Sequence, residues 1–258
     1  MSSYPATIFS PRERENWPGI IYDPDKKTLG FAEDFNYSDD EIVAIESVLG
    51  CNPVTTGDIT YYVDCDNGDD DNPGTEAEPF KTIQHAIDVL PKCVRHSITI
   101  RLKSSQNYAE AVLITGFYGP GELRIFGLSG SANDVLITKD DDIFYCLYNN
   151  LSRLDFRFFS GRVTANGKHI FRTYLSPHIN IQNVKGGDNG NTGTRFLYAG
   201  RLDHVNVINC SDIDADKCAY GLYADYGSIV GVYNSALGDI NYKVDDGGMI
   251  TDGSSFKP

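Results

Sequence analysis

Side chains able to move protons or hold a ligand recur in this chain at a fixed interval. In HINIQNVKG (178–186) and HVNVINCSD (204–212), His178 and His204 occupy equivalent places, as do Asn180 and Asn206, at an offset of 26. RLDFRFFSG (153–161) aligns with the first segment at 25, adding Arg153 to the histidine column and Asp155 to the asparagine column. Side chains two apart on a strand share a face. Arg153, Asp155, His178, Asn180, His204 and Asn206 are therefore candidate ligand-binding residues on one polar stripe, with Asp203 beside them. A glycosidase needs two carboxylates at a set separation, and a lyase needs a cationic base beside carboxylates. Were the protein an enzyme, Asp155, Asp203 and Asp212 would be the carboxylates to test, with His178 and His204 as proton carriers. The plainer reading of the stripe is a solvated strand face or a subunit contact. DIDAD (212–216) reads first as a solvated loop.

The elements that must position these residues are short strands. VGVYNSA (230–236) matches VNVINCS (205–211) at 25, and TRFLYAG (194–200) shares LYA with AYGLYAD (219–225) at the same offset. Leu147 and Tyr148 lie 50 before Leu197 and Tyr198, and YGLYADYGSIV (220–230) resembles NYKVDDGGMIT (241–251) at 21. Periods of this length mark a solenoid. Each period holds alternating Val, Ile, Leu and Phe between Gly, Asn and Asp turns, with no helix-length apolar stripe. A parallel β-helix fits, since each strand pairs with its copy one coil away. Asn183, Asn209 and Asn234 then stack as a structural amide ladder at a corner. Residues 97–258 give about seven coils, a solenoid roughly 30–35 Å long.

Residues 1–57 form an N-terminal arm. In it, SDDEIVAIESVLG reads as a helix at about 39–49, capped by Ser38 or Asp39 and ended by Gly50. Its stripe Ile42, Ile45, Val48 and Leu49 needs a partner. Residues 58–258 form the solenoid, and 58–92 supply its first strand and a capping helix. Thr82 caps that helix, Ile83, Ala86, Ile87 and Leu90 share one face, and Pro91 stops it.

Net charge is −14, from 22 Lys and Arg against 36 Asp and Glu. Such a field repels nucleic acid and would repel a polyanionic polysaccharide unless a local basic groove offsets it. No cluster of Lys and Arg in the sequence supplies one. No apolar run reaches membrane-spanning length, and the N-terminus has no secretory pattern. The six cysteines have no zinc spacing and read as reduced, mostly buried thiols. Asp64 to Asp71 superficially has the look of a calcium loop but lacks the closing Glu, so a self-bonded turn is the plainer account. No metal or cofactor is expected.

YYVDCDNGDDDNPGTEAEPFKTIQHAIDVLP resembles the opening module of pectin-lyase-like right-handed parallel β-helix proteins. The resemblance implies an all-β, single-stranded right-handed parallel β-helix whose N-terminal end is capped by the helix carrying Phe80, Ile83, Ala86, Ile87 and Leu90. The pectate-lyase and polygalacturonase signatures of that family are absent. GLYADYGSIV with DDGGMI, and the leader FAEDFNYSDDEIVAIESVLG, look like parts of tailed-bacteriophage fibre and spike proteins. That second resemblance implies a peripheral virion structural protein, a homotrimer attached to other virion proteins through residues 1–50 and able to bind host-surface glycan. Such a protein is assembled in the host cytoplasm and not secreted. A tailspike-type polysaccharide depolymerase and a cellular carbohydrate-binding β-helix module are the alternatives.

Overall fold

An acid-rich turn and a one-and-a-half-turn helix start the solenoid, and each is fixed by local chemistry. In the computed structural model, residues 54–213, 217–237, 240–251 and 256–257 are described. They belong to one compact unit, Val54–Pro258. The arm helix expected at about 39–49 lies outside the described residues, as do Asp214 and Asp216. Val54 already pairs with Cys93, so the folded body includes residues 54–57.

Strand β1 (Ile59–Val63) pairs in parallel with β2 (Ser97–Leu102), and α1 (Ile83–Asp88) lies between them in sequence. The Thr82 hydroxyl caps α1 by accepting from the His85 N–H at 3.1 Å. The Glu110 carboxylate takes the Ile83 and Gln84 N–H groups at 2.9 and 3.0 Å. A helix this short is marginal alone, so burial of Ile83, Ala86 and Ile87 over the coil end stabilises it. The Phe80 ring packs edge-on against Tyr61 and His85, centroids 5.0 and 4.8 Å away. Gly74 has φ +75°, and a Cβ there would fall 2.3 Å from that ring. The glycine of NPGT is therefore required twice over.

The acid turn folds on itself. Asp64 accepts from the Asp66 and Asn67 N–H groups, from Gln106 Nε2 and from Lys103. Burial pushes its carboxyl up, but these donors outweigh burial and hold it well below the usual carboxylate range. Asp70 accepts from the Lys81 and Thr82 N–H groups, both at 2.9 Å. These two carboxylates lock the turn.

Three parallel sheets follow, one strand of each per coil. Sheet A continues from β2 through β5 (Tyr118–Gly127), β8 (Asn150–Arg157), β11 (Ile179–Gln182), β14 (His204–Ile208), β17 (Ile229–Tyr233) and β19 (Met249–Thr251). Sheet B holds β3 (Gln106–Tyr108), β6 (Val135–Lys139), β9 (Ser160–Val163), β12 (Lys185–Gly187) and β15 (Ser211–Asp212). Sheet C holds β4 (Val112–Thr115), β7 (Phe144–Leu147), β10 (His169–Tyr174), β13 (Arg195–Ala199), β16 (Tyr220–Ala224) and β18 (Ile240–Val244). This is the parallel β-helix the repeats predict. Leu154 pairs with Ile179, Ile179 with Val205 and Val205 with Val230, all buried. Inside, Phe144 stacks on Phe171 at 5.4 Å and meets Phe156 at 4.9 Å. Each such ring contributes a few kcal/mol through burial.

Two expected offsets are corrected. The last coil is 20 residues long, not 21, because Leu222 pairs with Tyr242 and Val230 with Ile250. A one-residue slip would turn Val230's partner outward. Leu147 does not stack in phase with Leu197, since Thr173 aligns Cys146 with Ala199. After the last parallel strand, β20 (Phe256–Lys257) pairs antiparallel with β19.

The corner between sheets A and B needs a residue at positive φ. Asn183, Asn209 and Asn234 supply it at φ 52°, 51° and 46°, a conformation Asn tolerates better than most residues. Asn234 Nδ2 donates to Asn209 Oδ1 at 2.8 Å. That rung is exposed, so the ladder is a surface turn device and not a buried amide spine. The corner from sheet C to sheet A has positive φ too, but at Tyr148, Leu175, Leu202 and Tyr226.

Candidate functional site on the tyrosine-arginine face

Two faces carry clustered polar chemistry, and they differ in how completely their groups are bonded. On sheet A, strand register stacks Asp155, Asn180 and Asn206 in one column, whereas His178 precedes β11 at φ 67° and so stands outside the register that would join it to Arg153 and His204. Asp155 is fully buried and receives Arg157 through both Nε and Nη2, at 2.9 and 2.7 Å. Asn180 Nδ2 donates to the same carboxylate at 2.8 Å. Arg153 is drawn to Glu122, with Nε 3.0 Å from Oε2. His178, His204 and Asn206 are exposed.

The carboxylates proposed for catalysis do not converge. Asp203 leaves the stripe for the corner between sheets C and A, where it is 1% exposed. It accepts from Thr173 Oγ1 at 2.6 Å, from the Ser176 N–H at 2.7 Å and from the Gly200 N–H at 3.2 Å. Burial raises its pKa despite those donors. Asp212 lies on β15 in sheet B, beside Gly186 of β12. Asp155, Asp203 and Asp212 thus stand on sheet A, a corner and sheet B. The sequence offset aligned their neighbours but could not show which way each corner turns its acid.

The less complete face is sheet C. Its alternation buries Phe144, Phe171, Leu197 and Leu222 and sets Tyr145, Arg172, Tyr198, Tyr223 and Lys243 in one column on the other face, with Tyr223 only 8% exposed beneath Arg195 and Lys243. Beside that column run His169, Arg195 and Tyr220. The rings and cations interleave. Arg172 lies 4.9 Å from the Tyr145 ring, Arg195 lies 4.8 Å from Tyr223, and Lys243 also lies over Tyr223 at 4.9 Å. The His169 ring stacks on Tyr198 at 5.4 Å, and Tyr198 meets Tyr223 at 5.0 Å.

Acids tie the column together. Asp142 accepts from the His169 N–H at 2.9 Å and from Arg172 Nη1 at 3.2 Å. The Tyr198 hydroxyl donates to Asp225 at 3.2 Å, and the Tyr223 hydroxyl to Asp245 at 2.6 Å. Burial raises both phenols, and the neighbouring carboxylates add to it. Among the described residues, two buried side-chain nitrogens have no hydrogen-bond partner, His169 Nδ1 and Arg195 Nε. His169 is only 6% exposed. Burial lowers its pKa, and Arg195 and Arg172 add to that against the pull of Asp142, so the ring is neutral at pH 7. A buried polar atom with no partner is costly. Here it lies among the stacked rings of an otherwise well-bonded surface.

Sequence reading missed this face. The LYA repeat did place Tyr198 over Tyr223, but the same column holds arginine in β10, so residue identity hid the register. His169 lies where no repeat had been aligned, and Arg195 stands in the aligned TRFLYAG opposite a tyrosine, Tyr220, of AYGLYAD. Among the described residues no three His, Cys, Asp or Glu side chains gather closely enough to hold a metal ion. Cys65, Cys93, Cys146 and Cys210 are unpaired thiols. No described helix is long and apolar enough to cross a membrane.

No family model matches the chain, and no curated protein matches it. A solved structure titled rhamnogalacturonan lyase is similar over 74% of this chain at 14% identity, with a TM-score of 0.48. The chain covers 65% of that protein, just under two thirds of its length.

Proposed function

We propose that this chain is a β-helical glycan-binding protein that holds its ligand without cleaving it, carried at the periphery of a tailed-phage virion as a fibre, spike or decoration component. The observation that carries the binding reading is the unbonded pair His169 Nδ1 and Arg195 Nε beneath Tyr198 and Tyr223. Sugar rings offer apolar C–H faces that stack on tyrosine and hydroxyls that supply both donors and acceptors. Both atoms are covered, so a sugar hydroxyl that displaces the neighbouring rings would accept from Arg195 and bond to His169 in either tautomer. Arg172, Arg195, Lys243, Asp142, Asp225 and Asp245 surround the rings with three cations and three carboxylates. That balance suits a neutral sugar.

Holding is favoured over cutting because the acids are occupied. Asp155 and Asp203 are buried turn and pair formers, and the sheet C carboxylates each accept a tyrosine, arginine or backbone donor. The virion setting rests on the leader and coil segments that look like phage fibre proteins. On that reading the protein is a homotrimer attached through residues 1–50.

The test is calorimetric titration with a panel of neutral hexose and N-acetylhexosamine oligosaccharides, with reducing ends assayed afterwards. Saturable binding lost in Tyr198→Ala, without new reducing ends, is the expected result. Turnover that disappears in Asp225→Asn would replace this reading with the depolymerase. Light scattering at three times 28.5 kDa is expected for the trimer, and a stable monomer would contradict it.

A further inference from the structure

Sheet A carries something the sequence did not reveal: a cationic cluster on a strongly acidic protein. Arg101 of β2, Arg124 of β5, and Arg153 and Arg157 of β8 occupy neighbouring places on its outer face. The repeat comparison held Arg153 and Arg157 in RLDFRFFSG but could not join them to Arg101 and Arg124, which fall on earlier coils where no segment had been aligned.

Two carboxylates sit among the four guanidinium groups. Glu122 is shared by Arg124 and Arg153, and Asp155 is shared by Arg157 and, at 3.7 Å, Arg153. Asp58 lies at the edge, accepting from the Ser97 N–H. Four cations against three anions leave the patch positive, although the whole chain carries −14. Arg101 is the excess. Among the described residues its guanidinium has no carboxylate partner and rests 5.7 Å from the Phe126 ring, on which Arg157 also lies at 5.2 Å. Arg124 uses one nitrogen on Glu122. Burial lowers its pKa, repulsion from Arg153 and Arg157 adds to that, and Asp155 and Asp58 act against it.

We infer that the Arg101–Arg124 side of this cluster is a binding site for a single carboxylate on an otherwise neutral oligosaccharide. The planar guanidinium fork matches a carboxylate in two parallel hydrogen bonds. The face already repeats that arrangement, alternating arginines with Glu122 and Asp155, and a third carboxylate over Arg101 and Arg124 continues the alternation. The surrounding −14 field repels a ligand charged at every sugar, whereas one isolated charge meets mainly the local patch, within about 8–10 Å at physiological salt. The site is on a different sheet from the tyrosine-arginine face and stands without it.

The test compares a trisaccharide carrying one glucuronic acid with its glucose counterpart and with a counterpart bearing a sulfate ester, by calorimetry. The glucuronate probe should bind at least tenfold more tightly than the glucose probe, and its affinity should fall as salt rises. Arg101→Gln with Arg124→Gln should abolish that preference, while Arg101→Lys should weaken it by keeping charge without the fork. In Tyr198→Ala the glucuronate probe should still bind while the glucose probe loses its place on sheet C, which separates the two faces. Unchanged thermal unfolding of each variant shows that the fold is intact. Equal binding of the glucuronate and glucose probes, an unaffected double variant, or a preference for sulfate would overturn the proposal.

Discussion

The outer face of sheet A locks its carboxylates into ion pairs, whereas that of sheet C stacks rings and leaves two buried nitrogens unbonded. Both faces are built by the same coil and use the same kinds of residue. The difference lies in what each strand offers its neighbours one coil away. On sheet A, Asp155 meets Arg157 within its own strand and Asn180 on the next, so a buried acid is fully satisfied. On sheet C, His169 is followed in register by Arg195, yet His169 Nδ1 and Arg195 Nε are not bonded to one another or to any other group among the described residues. Polar columns are therefore not equal evidence for a site. Completeness of bonding distinguishes a structural column from one that awaits a ligand.

The largest effect expected is at the corner acid. Asp203→Ala removes the acceptor of Thr173, Ser176 and Gly200 at a buried turn and should cost about 2–4 kcal/mol in urea unfolding. If Asp203 were a catalytic acid, its loss would affect turnover more than stability.

Asp155→Ala should cost less, about 1–3 kcal/mol, because its arginine partners are half-exposed and can be rehydrated. A loss as large as that of Asp203 would mean that sheet A is tighter than described.

Titration sharpens the comparison from the other side. The folded pKa of His169 lies below its ordinary 6.5. The unfolded chain therefore takes up the proton more readily, and the stability this confers is present above about 6.5 and declines as pH falls below it. Thermal unfolding followed from pH 8 to 5 should show that decline, and His169→Gln should flatten it. Asp64 and Asp70 act in a lower window, losing their contribution as pH falls below the usual carboxylate range toward their depressed values.

The smallest effect belongs to the ladder. Asn209→Ala gives up one exposed rung and a tolerated positive φ, about 1 kcal/mol.

Much of the coil was legible because parallel pairing repeats apolar types: Ile179, Val205 and Val230 identify each other. The cap was legible because Thr82, Ile83, Ala86 and Ile87 follow general helix rules. The site was not, because register conserves position and not chemistry. Tyr145, Arg172, Tyr198, Tyr223 and Lys243 form one column from three residue types. Nor does a one-dimensional offset reveal a corner, and so Asp203 was read with the stripe it abuts.

Nitrogen-15 spectra resolved at the His169 imidazole and at Arg195 Nε, recorded during titration with the neutral oligosaccharide panel, test the central claim most directly. Both signals should shift saturably with at least one sugar, and the shifts should vanish in Tyr198→Ala. If a sugar binds while both nitrogens keep their free-state signals, or if none of the panel moves them, the sheet C face is not the binding site.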